Sequence, residues 1–275
     1  MIETVEVLGQ PAMRLRAADG GEATVLLHGG QIVSWIPAGD QERLYLSPTA
    51  VAGPGKSVRG GIPVVFPQFA DRGPLPRHGF ARDRAWRWVE GAERDGVTIG
   101  VLSLRDDAAT RAAWPHAFEL ELTLSVGALN LDVELAVFNR GDTGFDFTTA
   151  LHSYWRVDDL RRAKLHGLYG TRYLDAISGL EQRQEIDPQS FVGAIDRIYF
   201  DLGEPLSLAT AMGRMAIAAE GFADAVVWNP GPAAALADLP AEDWQRLLCI
   251  ESAAIGRPPR LAAGLEWVAR LTLSA

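Results

Sequence analysis

Phe118-Glu119-Leu120-Glu121-Leu122-Thr123-Leu124 alternates strictly between apolar and polar residues. A few residues later, Leu131-Asp132-Val133-Glu134-Leu135 repeats the same pattern. Because successive side chains of a β-strand point to opposite faces, the alternation predicts two strands that each have one buried and one solvated face. Strands of this kind are typical of antiparallel sheets that cover a core on one side. The two segments therefore predict an antiparallel sheet as the basis of the fold.

Short apolar runs between turn residues extend this pattern along the chain. Strands are predicted over residues 23–27, 31–35, 97–104, 118–126, 131–139, 145–157, 214–219, 225–228, 247–252 and 266–273. Helical periodicity is scarce, and the one candidate helix covers 241–248, with Pro240 in its first turn. The runs are punctuated by 28 glycines and 16 prolines, and no alternating βαβ units occur. The sequence predicts an all-β fold, a large antiparallel sandwich or barrel with few short helices.

Length and composition favour a single domain over residues 1–275. Apolar residues make up 48% of the chain and charged residues 22%, values typical of a globular protein with a substantial core. The net charge of −9 disfavours nucleic acid and anionic membranes as partners. No apolar run approaches the roughly 18 residues of a membrane span, and the first six residues lack the basic character of a secretion signal. We therefore expect a cytoplasmic protein, with a monomer as the default state.

Cysteine-based and metal-based chemistry have no sequence support. The single cysteine, Cys249, lies in an apolar run and is expected to be a small core residue. The five histidines show no paired metal spacing, and no HExxH motif occurs. Neither a GxSxG nucleophile elbow nor a GxGxxG dinucleotide loop is present. We expect no required metal.

Residues 52–84 form the longest stretch without a strand pattern, which is typical of a functional loop region. Residues 56–87 contain seven basic and two acidic residues, a local charge of +5 within a chain of −9. Arg59, Arg77 and Arg82 are suited to bind a phosphate or carboxylate, because a guanidinium group forms paired hydrogen bonds with such anions. Alternatively, these arginines are solvated or pair with nearby aspartates. Their spacing leaves both interpretations open.

Two titratable residues lie within predicted strands. His152 falls on the more polar face of the strand predicted over 145–157, as expected for a strand that lines a cleft on one side. A single histidine on a strand is also commonly structural. Glu251 follows the apolar run 247–250, where burial raises a carboxyl pKa toward the range of a general base. The alternative for Glu251 is a buried ion pair with an arginine.

Six motifs, in this order, resemble those of the hexose-6-phosphate 1-epimerases of the aldose 1-epimerase (galactose mutarotase-like) superfamily. They are Val58-Arg59-Gly60-Gly61-Ile62-Pro63-Val64-Val65-Phe66-Pro67, Arg77-His78-Gly79-Phe80-Ala81-Arg82, Leu151-His152-Ser153-Tyr154-Trp155, Asp196-Arg197-Ile198-Tyr199, Val227-Trp228-Asn229-Pro230 and Cys249-Ile250-Glu251-Ser252. The resemblance implies a large antiparallel β-sandwich, the galactose mutarotase-like supersandwich, with an open cleft. It also implies interconversion of the α and β anomers of a hexose 6-phosphate, with glucose 6-phosphate as the first candidate.

By the same resemblance, His152 is the general acid and Glu251 the general base. Opening a sugar ring requires that one proton leave the C1 hydroxyl and another reach the ring oxygen. In the predicted step, Glu251 takes the hydroxyl proton while His152 protonates the ring oxygen. Rotation at C1 and closure on the other face then reverse both transfers. Since neither redox chemistry nor group transfer is involved, we expect no cofactor.

The resemblance also implies a set of substrate-binding residues. His78 and Asp196 match residues that hold the sugar hydroxyls and ring. Arg59 and Arg82 match the phosphate-binding arginines, and Arg77 occupies a neighbouring substrate-contacting position. The local positive charge favours a phosphorylated over a free hexose, because a phosphate that approaches an acidic protein needs a focused positive site.

Departures from the family pattern leave room for other functions. Residues 231–235 read Gly-Pro-Ala-Ala-Ala where the family often carries an aromatic and then basic residues, so one wall of the cleft is open to question. Arg77 stands where a smaller or neutral residue is common. One alternative is an aldose 1-epimerase for unphosphorylated sugars, and another is a non-catalytic sugar-phosphate-binding protein. The presence of both His152 and Glu251 argues against the second, because binding alone requires no matched acid and base.

Overall fold

The computed structural model of the protein describes residues 1–275. Its strands are β1 (Ile2–Val7), β2 (Gln10–Arg16), β3 (Glu22–Leu26), β4 (Ile32–Ile36), β5 (Val64–Val65), β6 (Arg87–Arg94), β7 (Val97–Arg105), β8 (Phe118–Val126), β9 (Asn130–Asn139), β10 (Phe145–Asp146), β11 (Thr149–Leu151), β12 (Tyr154–Arg156), β13 (Lys164–His166), β14 (Arg172–Asp175), β15 (Leu180–Arg183), β16 (Gln189–Ser190), β17 (Ile195–Tyr199), β18 (Leu206–Thr210), β19 (Gly213–Glu220), β20 (Asp224–Asn229), β21 (Leu247–Ala254), β22 (Arg260–Leu261) and β23 (Glu266–Ser274). One α-helix, α1, covers Ala108–Ala113, and short 3-10 helices cover Ala81–Asp83, Leu160–Arg162 and Asp243–Arg246.

The strands form two large sheets and two small ones. The nine-stranded sheet has the order β16-β13-β18-β19-β23-β9-β8-β7-β6. The eight-stranded sheet has the order β15-β14-β17-β20-β21-β11-β5, with β12 also paired to β21. A four-stranded sheet follows chain order from β1 to β4, and β10 pairs with β22. Every strand pairing is antiparallel.

The main core lies between the two large sheets. From the nine-stranded sheet it receives the apolar residues of the alternating strands, such as Leu122 on β8 and Val133 on β9, both fully buried. From the eight-stranded sheet it receives residues such as Leu248 and Ile250 on β21. Full burial of such side chains stabilises the fold by about 1.5–3 kcal/mol each. The all-β antiparallel sandwich predicted from the sequence is confirmed. None of the helices has the length and apolar character that a membrane span requires.

Strand β21 lies in the interior of its sheet and is covered on both faces. All eight of its residues are buried, and it pairs with β20 on one side and with β11 and β12 on the other. Leu248 and Ile250 face the main core, whereas Cys249 and Glu251 face the outer side. Cys249 is a free, buried cysteine, as predicted. Double burial explains why the run 247–250 is continuously apolar instead of alternating.

The single strand predicted over 145–157 is wrong, because the segment is divided into β10, β11 and β12. Between β11 and β12, the N–H of Ser153 donates to the carbonyl oxygen of Leu151 at 3.0 Å. The backbone therefore leaves the regular ladder next to His152, an irregularity that often serves to orient side chains at a site. The predicted division of faces is still observed: Leu151 lies in the core, whereas His152 and Tyr154 line a cleft.

The helix predicted over 241–248 is also wrong. A short 3-10 helix covers Asp243–Arg246, and β21 follows directly. The pairing of β21 with strands on both sides overrides the local helical pattern, as tertiary context commonly does.

The sequence analysis does not predict helix α1. Its signal is the capping box of Asp107 and Thr110, in which the Thr110 N–H donates to Asp107 Oδ1 at 2.7 Å.

Candidate active site

An open cleft of about 700 Å³ lies on the outer face of the eight-stranded sheet. Strands β17, β20 and β21 form its floor together with β12, and residues 69–78, here called the rim loop, form one side. This loop belongs to the segment 52–84, in which β5 is the only strand. Six of the seven residues predicted for the site line the cleft: Arg59, Arg77, His78, His152, Asp196 and Glu251. The volume is typical of small-molecule sites.

Arg82 is the predicted residue that does not line the cleft. Its half-buried side chain lies behind the rim loop, where Nη2 donates to the carbonyl oxygen of Arg77 at 3.1 Å. The Nε of Arg82 is buried without a hydrogen-bond partner. Burial lowers the pKa of Arg82, and the nearby arginines act in the same direction. Arg82 still contributes positive potential to the cleft, because its charge lowers the pKa values of His78 and His152.

His152 and Glu251 face each other on the cleft floor. His152 Nε2 lies 3.3 Å from Glu251 Oε1, and the two side chains are only 8% and 1% exposed. His152 Nδ1 and Glu251 Oε2 are both buried without a hydrogen-bond partner. Buried polar atoms without partners are rare and costly. The pair therefore carries unused hydrogen-bonding capacity at the place where two proton carriers meet.

Burial dominates the protonation of this pair. It raises the pKa of Glu251 well above its usual range, and the negative charge of Asp196 acts in the same direction. It lowers the pKa of His152 well below its usual range, and the positive charges of Arg82 and Arg59 add to this effect. Both shifts favour the uncharged forms. The pair therefore holds its proton on the carboxyl group and presents a neutral imidazole.

His78 lies beside the pair at the end of the rim loop. Its ring centroid is 5.4 Å from that of His152, and the Ala70 N–H donates to His78 Nδ1 at 3.3 Å. Burial and the neighbouring arginines lower the pKa of His78 to about 3, so the ring is neutral at physiological pH. Since Nδ1 accepts, Nε2 carries the proton and is a donor. The backbone φ of 67° at His78 is uncommon for a residue other than glycine and marks a constrained position.

Asp196 provides a second carboxylate on the cleft floor. It lies on β17 directly opposite Trp228 of β20, and its carboxylate forms neither a hydrogen bond nor an ion pair within the protein. Burial raises the pKa of Asp196, while the charge of Arg77 opposes the shift. A half-buried carboxylate without a partner is available to accept hydrogen bonds from ligand hydroxyl groups.

Arg59 is held by two residues that the sequence analysis does not single out. Its Nε and Nη2 lie 3.2 and 3.1 Å from Asp238 Oδ1, and its Nη1 donates to the Tyr154 hydroxyl at 2.9 Å. The Tyr154 ring stacks on His152, with centroids 4.7 Å apart and planes 5° apart. Tyr154 lies in the same motif as His152, which is a signal for its place in the site. No local signal identifies Asp238, because it is 179 positions from Arg59.

The rim loop carries two more arginines. Arg77 is exposed and forms an ion pair with Asp71. Arg72 also lines the cleft, and its guanidinium group has no acceptor within the protein. The loop is anchored at its base by the side chain of Gln68, which donates to the Ala70 and Leu75 carbonyl oxygens. The sequence left open whether the arginines bind an anion or pair with an aspartate. Pairing with an aspartate is observed for Arg77 and Arg59.

Residues 230–240, here called the wall loop, also contribute to the lining of the cleft. Leu236 is its cleft-lining residue, and Asp238 extends to Arg59. The side that the sequence left open is thus apolar and acidic. No group of three or more His, Cys, Asp or Glu side chains is arranged to hold a metal ion.

Solved structures with the same architecture include proteins described as mutarotases. The crystal structure of a "putative mutarotase" from Salmonella typhimurium superposes with a TM-score of 0.91 at 27% sequence identity, covering 99% of this chain and 92% of that chain. Fold and cleft together define a mutarotase-like β-sandwich enzyme.

The family model described as aldose 1-epimerase matches residues 11–274. A relative from Cenchrus ciliaris is 33% identical over 274 residues, which cover 95% of this chain and 83% of the relative. A relative from Salmonella typhimurium is 33% identical over 239 residues, covering 84% of this chain and 79% of the relative. Both carry the name "Putative glucose-6-phosphate 1-epimerase". The chain belongs to the aldose 1-epimerase family, and the predictions of this family and of an isomerase are confirmed.

Proposed function

We propose that this isomerase interconverts the α and β anomers of a hexose 6-phosphate, with glucose 6-phosphate as the first candidate. The observation that carries the proposal is the buried His152–Glu251 pair, with 3.3 Å between Nε2 and Oε1, on the floor of a cleft bordered by arginines. The names of the relatives support the phosphorylated substrate. Because a sugar phosphate is a charged metabolite that is retained inside cells, we propose that the enzyme acts in the cytoplasm. We also propose that it is a single-domain monomer.

In the proposed reaction, the proton that Glu251 holds first moves across the 3.3 Å contact to His152 Nε2 as the substrate binds. The Glu251 carboxylate and the His152 imidazolium then exchange protons with the sugar. Glu251 takes the proton of the C1 hydroxyl, so that C1 and this oxygen form a carbonyl group. The C1–O5 bond breaks, and its electron pair takes a proton from His152. After rotation about the C1–C2 bond, O5 attacks the other face of the carbonyl and both proton transfers run in reverse. The pair ends each cycle with the proton content it had at the start.

Substrate charge supports the acid role of His152. In the ligand-free state, the charges of Arg82 and Arg59 add to the effect of burial and lower the pKa of His152. A phosphate dianion near these arginines offsets their positive potential. Its binding therefore raises the pKa of His152 and favours the protonated imidazole that a general acid requires.

The other cleft residues have roles that match their protonation states. His78, neutral with a pKa of about 3, donates a hydrogen bond from Nε2 to a sugar oxygen. Asp196 accepts hydrogen bonds from sugar hydroxyl groups. Arg59 and Arg77 bind the phosphate directly, and Arg82 supports it through its charge from behind the rim loop. The assignment of His78 uses this residue in the neutral form that its surroundings favour.

The test is anomer exchange measured by magnetisation-transfer NMR on glucose 6-phosphate and on free glucose. We expect the wild type to accelerate exchange of the phosphorylated sugar far more than that of glucose. Arg59→Ala should remove most of this advantage and leave any activity on glucose unchanged. The matched control is Arg161→Ala, since Arg161 is an exposed arginine that pairs with Asp159 away from the cleft.

Two results would point to other functions. Equal acceleration of both sugars, with equal loss in Arg59→Ala, would favour an epimerase of unphosphorylated aldoses. Ligand-induced chemical-shift changes without acceleration would favour a sugar-phosphate-binding protein.

A further inference from the structure

We propose that Asp238 is a substitute anion for Arg59 that sets how tightly the enzyme holds phosphorylated sugars. In the ligand-free protein its carboxylate occupies one edge of the Arg59 guanidinium group, and it yields this edge to the phosphate when substrate binds. The inference rests on the proposed function, because it assumes that Arg59 receives the substrate's phosphate.

The contact between Asp238 and Arg59 is suited to exchange. A guanidinium group binds a phosphate most strongly when two parallel N–H groups meet two oxygen atoms. Here a single oxygen, Asp238 Oδ1, accepts a hydrogen bond from Nε at 3.2 Å and lies 3.1 Å from Nη2. The second carboxylate oxygen makes no hydrogen bond. A phosphate that approaches from the cleft can form the paired contact that Asp238 does not form.

The side chains of Arg59 and Asp238 differ in their exposure to solvent. The Arg59 side chain is 22% exposed and that of Asp238 is 38% exposed. Asp238 therefore regains solvation when it leaves, whereas the more buried guanidinium requires an anion at all times. Tyr154 holds Arg59 from the other side, where its hydroxyl accepts from Nη1 at 2.9 Å. The arginine thus stays in place while its anion changes.

The exchange requires only a side-chain rotation. The backbone carbonyl of Asp238 accepts a hydrogen bond from the Ser47 hydroxyl at 2.7 Å, which anchors the wall loop at this residue. The Asp238 side chain projects from this anchored backbone and is partly solvated. Neither the wall loop nor the cleft floor has to move.

A weakened phosphate contact suits an epimerase that acts on a phosphorylated sugar. Both anomers and the transition state carry the same phosphate group, so tighter phosphate binding stabilises all of them equally. Such uniform binding lowers KM without lowering the barrier of the chemical step, and it slows product release. A carboxylate that competes for Arg59 keeps both anomers exchangeable.

The decisive variant is Asp238→Asn, which keeps an oxygen acceptor for Arg59 and removes the negative charge. A carboxylate about 6 Å from a phosphate dianion in water-like surroundings weakens its binding by up to about tenfold. We therefore expect KM for glucose 6-phosphate to fall about three- to tenfold, with a smaller change for free glucose, which carries no phosphate. The difference from wild type should shrink as ionic strength rises. Misfolding cannot produce a gain in affinity.

A direct binding measurement separates this proposal from the proposed function. Inorganic phosphate is titrated into the intact protein and its dissociation constant is read from chemical-shift changes, without any turnover. We expect Asp238→Asn to bind phosphate more tightly than wild type, and the control Asp159→Asn, which changes an aspartate paired with Arg161 at the surface, to bind like wild type.

Unchanged or weaker phosphate binding in Asp238→Asn would overturn the proposal. Weaker binding in both Asp238→Asn and Asp238→Ala would instead make Asp238 a residue that orients Arg59. If wild type shows no preference for glucose 6-phosphate over glucose, the proposed function fails. Tighter phosphate binding by Asp238→Asn would still support the exchange at Arg59 in that case.

Discussion

Replacement of Glu251 by glutamine should remove most of the activity and at the same time stabilise the protein at neutral and alkaline pH. Glutamine has the same shape as glutamate but neither takes up a proton nor carries a charge. Because Glu251 Oε1 lies 3.3 Å from His152 Nε2, the amide can donate a hydrogen bond to the neutral imidazole and preserve the cleft. We therefore expect KM to stay close to wild type. The loss of a positioned proton carrier should lower kcat by about 10²- to 10⁴-fold, which corresponds to about 3–5 kcal/mol in the barrier.

The stability effect follows from the direction of the Glu251 pKa shift. In the unfolded chain this carboxyl group has its ordinary pKa, whereas burial and the charge of Asp196 raise the pKa in the folded protein. Between these two pKa values the folded state holds a proton that the unfolded state has released, so stability falls as pH rises. Glutamine does not titrate. The variant should therefore gain stability relative to wild type by up to about 1.4 kcal/mol per pH unit above the ordinary carboxyl pKa. The gain levels off above the folded pKa.

Urea unfolding and thermal melts at pH 5 and pH 8 measure this difference, and NMR anomer exchange measures kcat. Each kcal/mol corresponds to about 2–4 °C in Tm for a protein of this size. The control is Glu119→Gln. Burial opposes ionisation of Glu119, but ion pairs with Arg105 and Arg140 outweigh it and lower its pKa. This control should lose stability at neutral pH and keep its activity.

Two results would refute the reasoning on Glu251. If Glu251→Gln keeps more than about a tenth of the wild-type kcat, Glu251 is not the general base, since that role contributes at least about 10²-fold. If the variant is less stable than wild type at pH 8, the carboxyl group is not the uncompensated buried acid that the structure describes.

Three further variants test other parts of the cleft. Tyr154→Phe keeps the ring on His152 but removes the acceptor for Arg59, so KM for glucose 6-phosphate should rise about two- to tenfold with little change in kcat; unchanged saturation kinetics would contradict a role for the hydroxyl. Arg72→Ala removes the cleft arginine that has no acceptor, and competition kinetics should show a loss of about two- to fivefold on glucose 6-phosphate and none on glucose. His78→Asn should lower kcat/KM and leave the pH–rate profile between pH 5 and 9 unchanged, because the pKa of His78 is about 3; a shifted profile would show that His78 titrates during catalysis.

The strands that sequence alone predicts best are those with one solvated face. Strands β8, β9 and β23 have clear alternation, because the contrast between core and solvent repeats at every second residue. Strand β21 lacks this contrast, since it is buried on both faces, and its first two residues fall both in the strand predicted over 247–252 and in the helix predicted over 241–248. The hairpin of β1 and β2 is absent from the sequence prediction. Its turn has positive φ at both Leu8 and Gly9. Such turns are usually recognised by Asn, Asp or Gly at the first of these positions, and a leucine there does not indicate a turn.

The residues of the site also divide into those that the sequence indicates and those that it does not. His152 and Glu251 stand out in the sequence because each interrupts an apolar or aromatic stretch, and the arginines stand out because they concentrate positive charge in an acidic chain. Asp238 does not stand out, since an aspartate in a loop is ordinary, and Tyr154 is indicated only by its place in the motif that contains His152. Their importance arises from contacts with Arg59 and, for Tyr154, from stacking on His152.

The sequence by itself determined the all-β class, the positions of the titratable residues His152 and Glu251 within predicted strands, and the positive segment, because periodicity and local charge depend on neighbours along the chain. Only the tertiary structure decided which of these groups meet. The contact between His152 and Glu251 and the pairing of Asp238 with Arg59 depend on strand order and register, which local patterns do not encode. Burial is likewise a property of the packed sheets, and it is burial that raises the pKa of Glu251 and lowers that of His152.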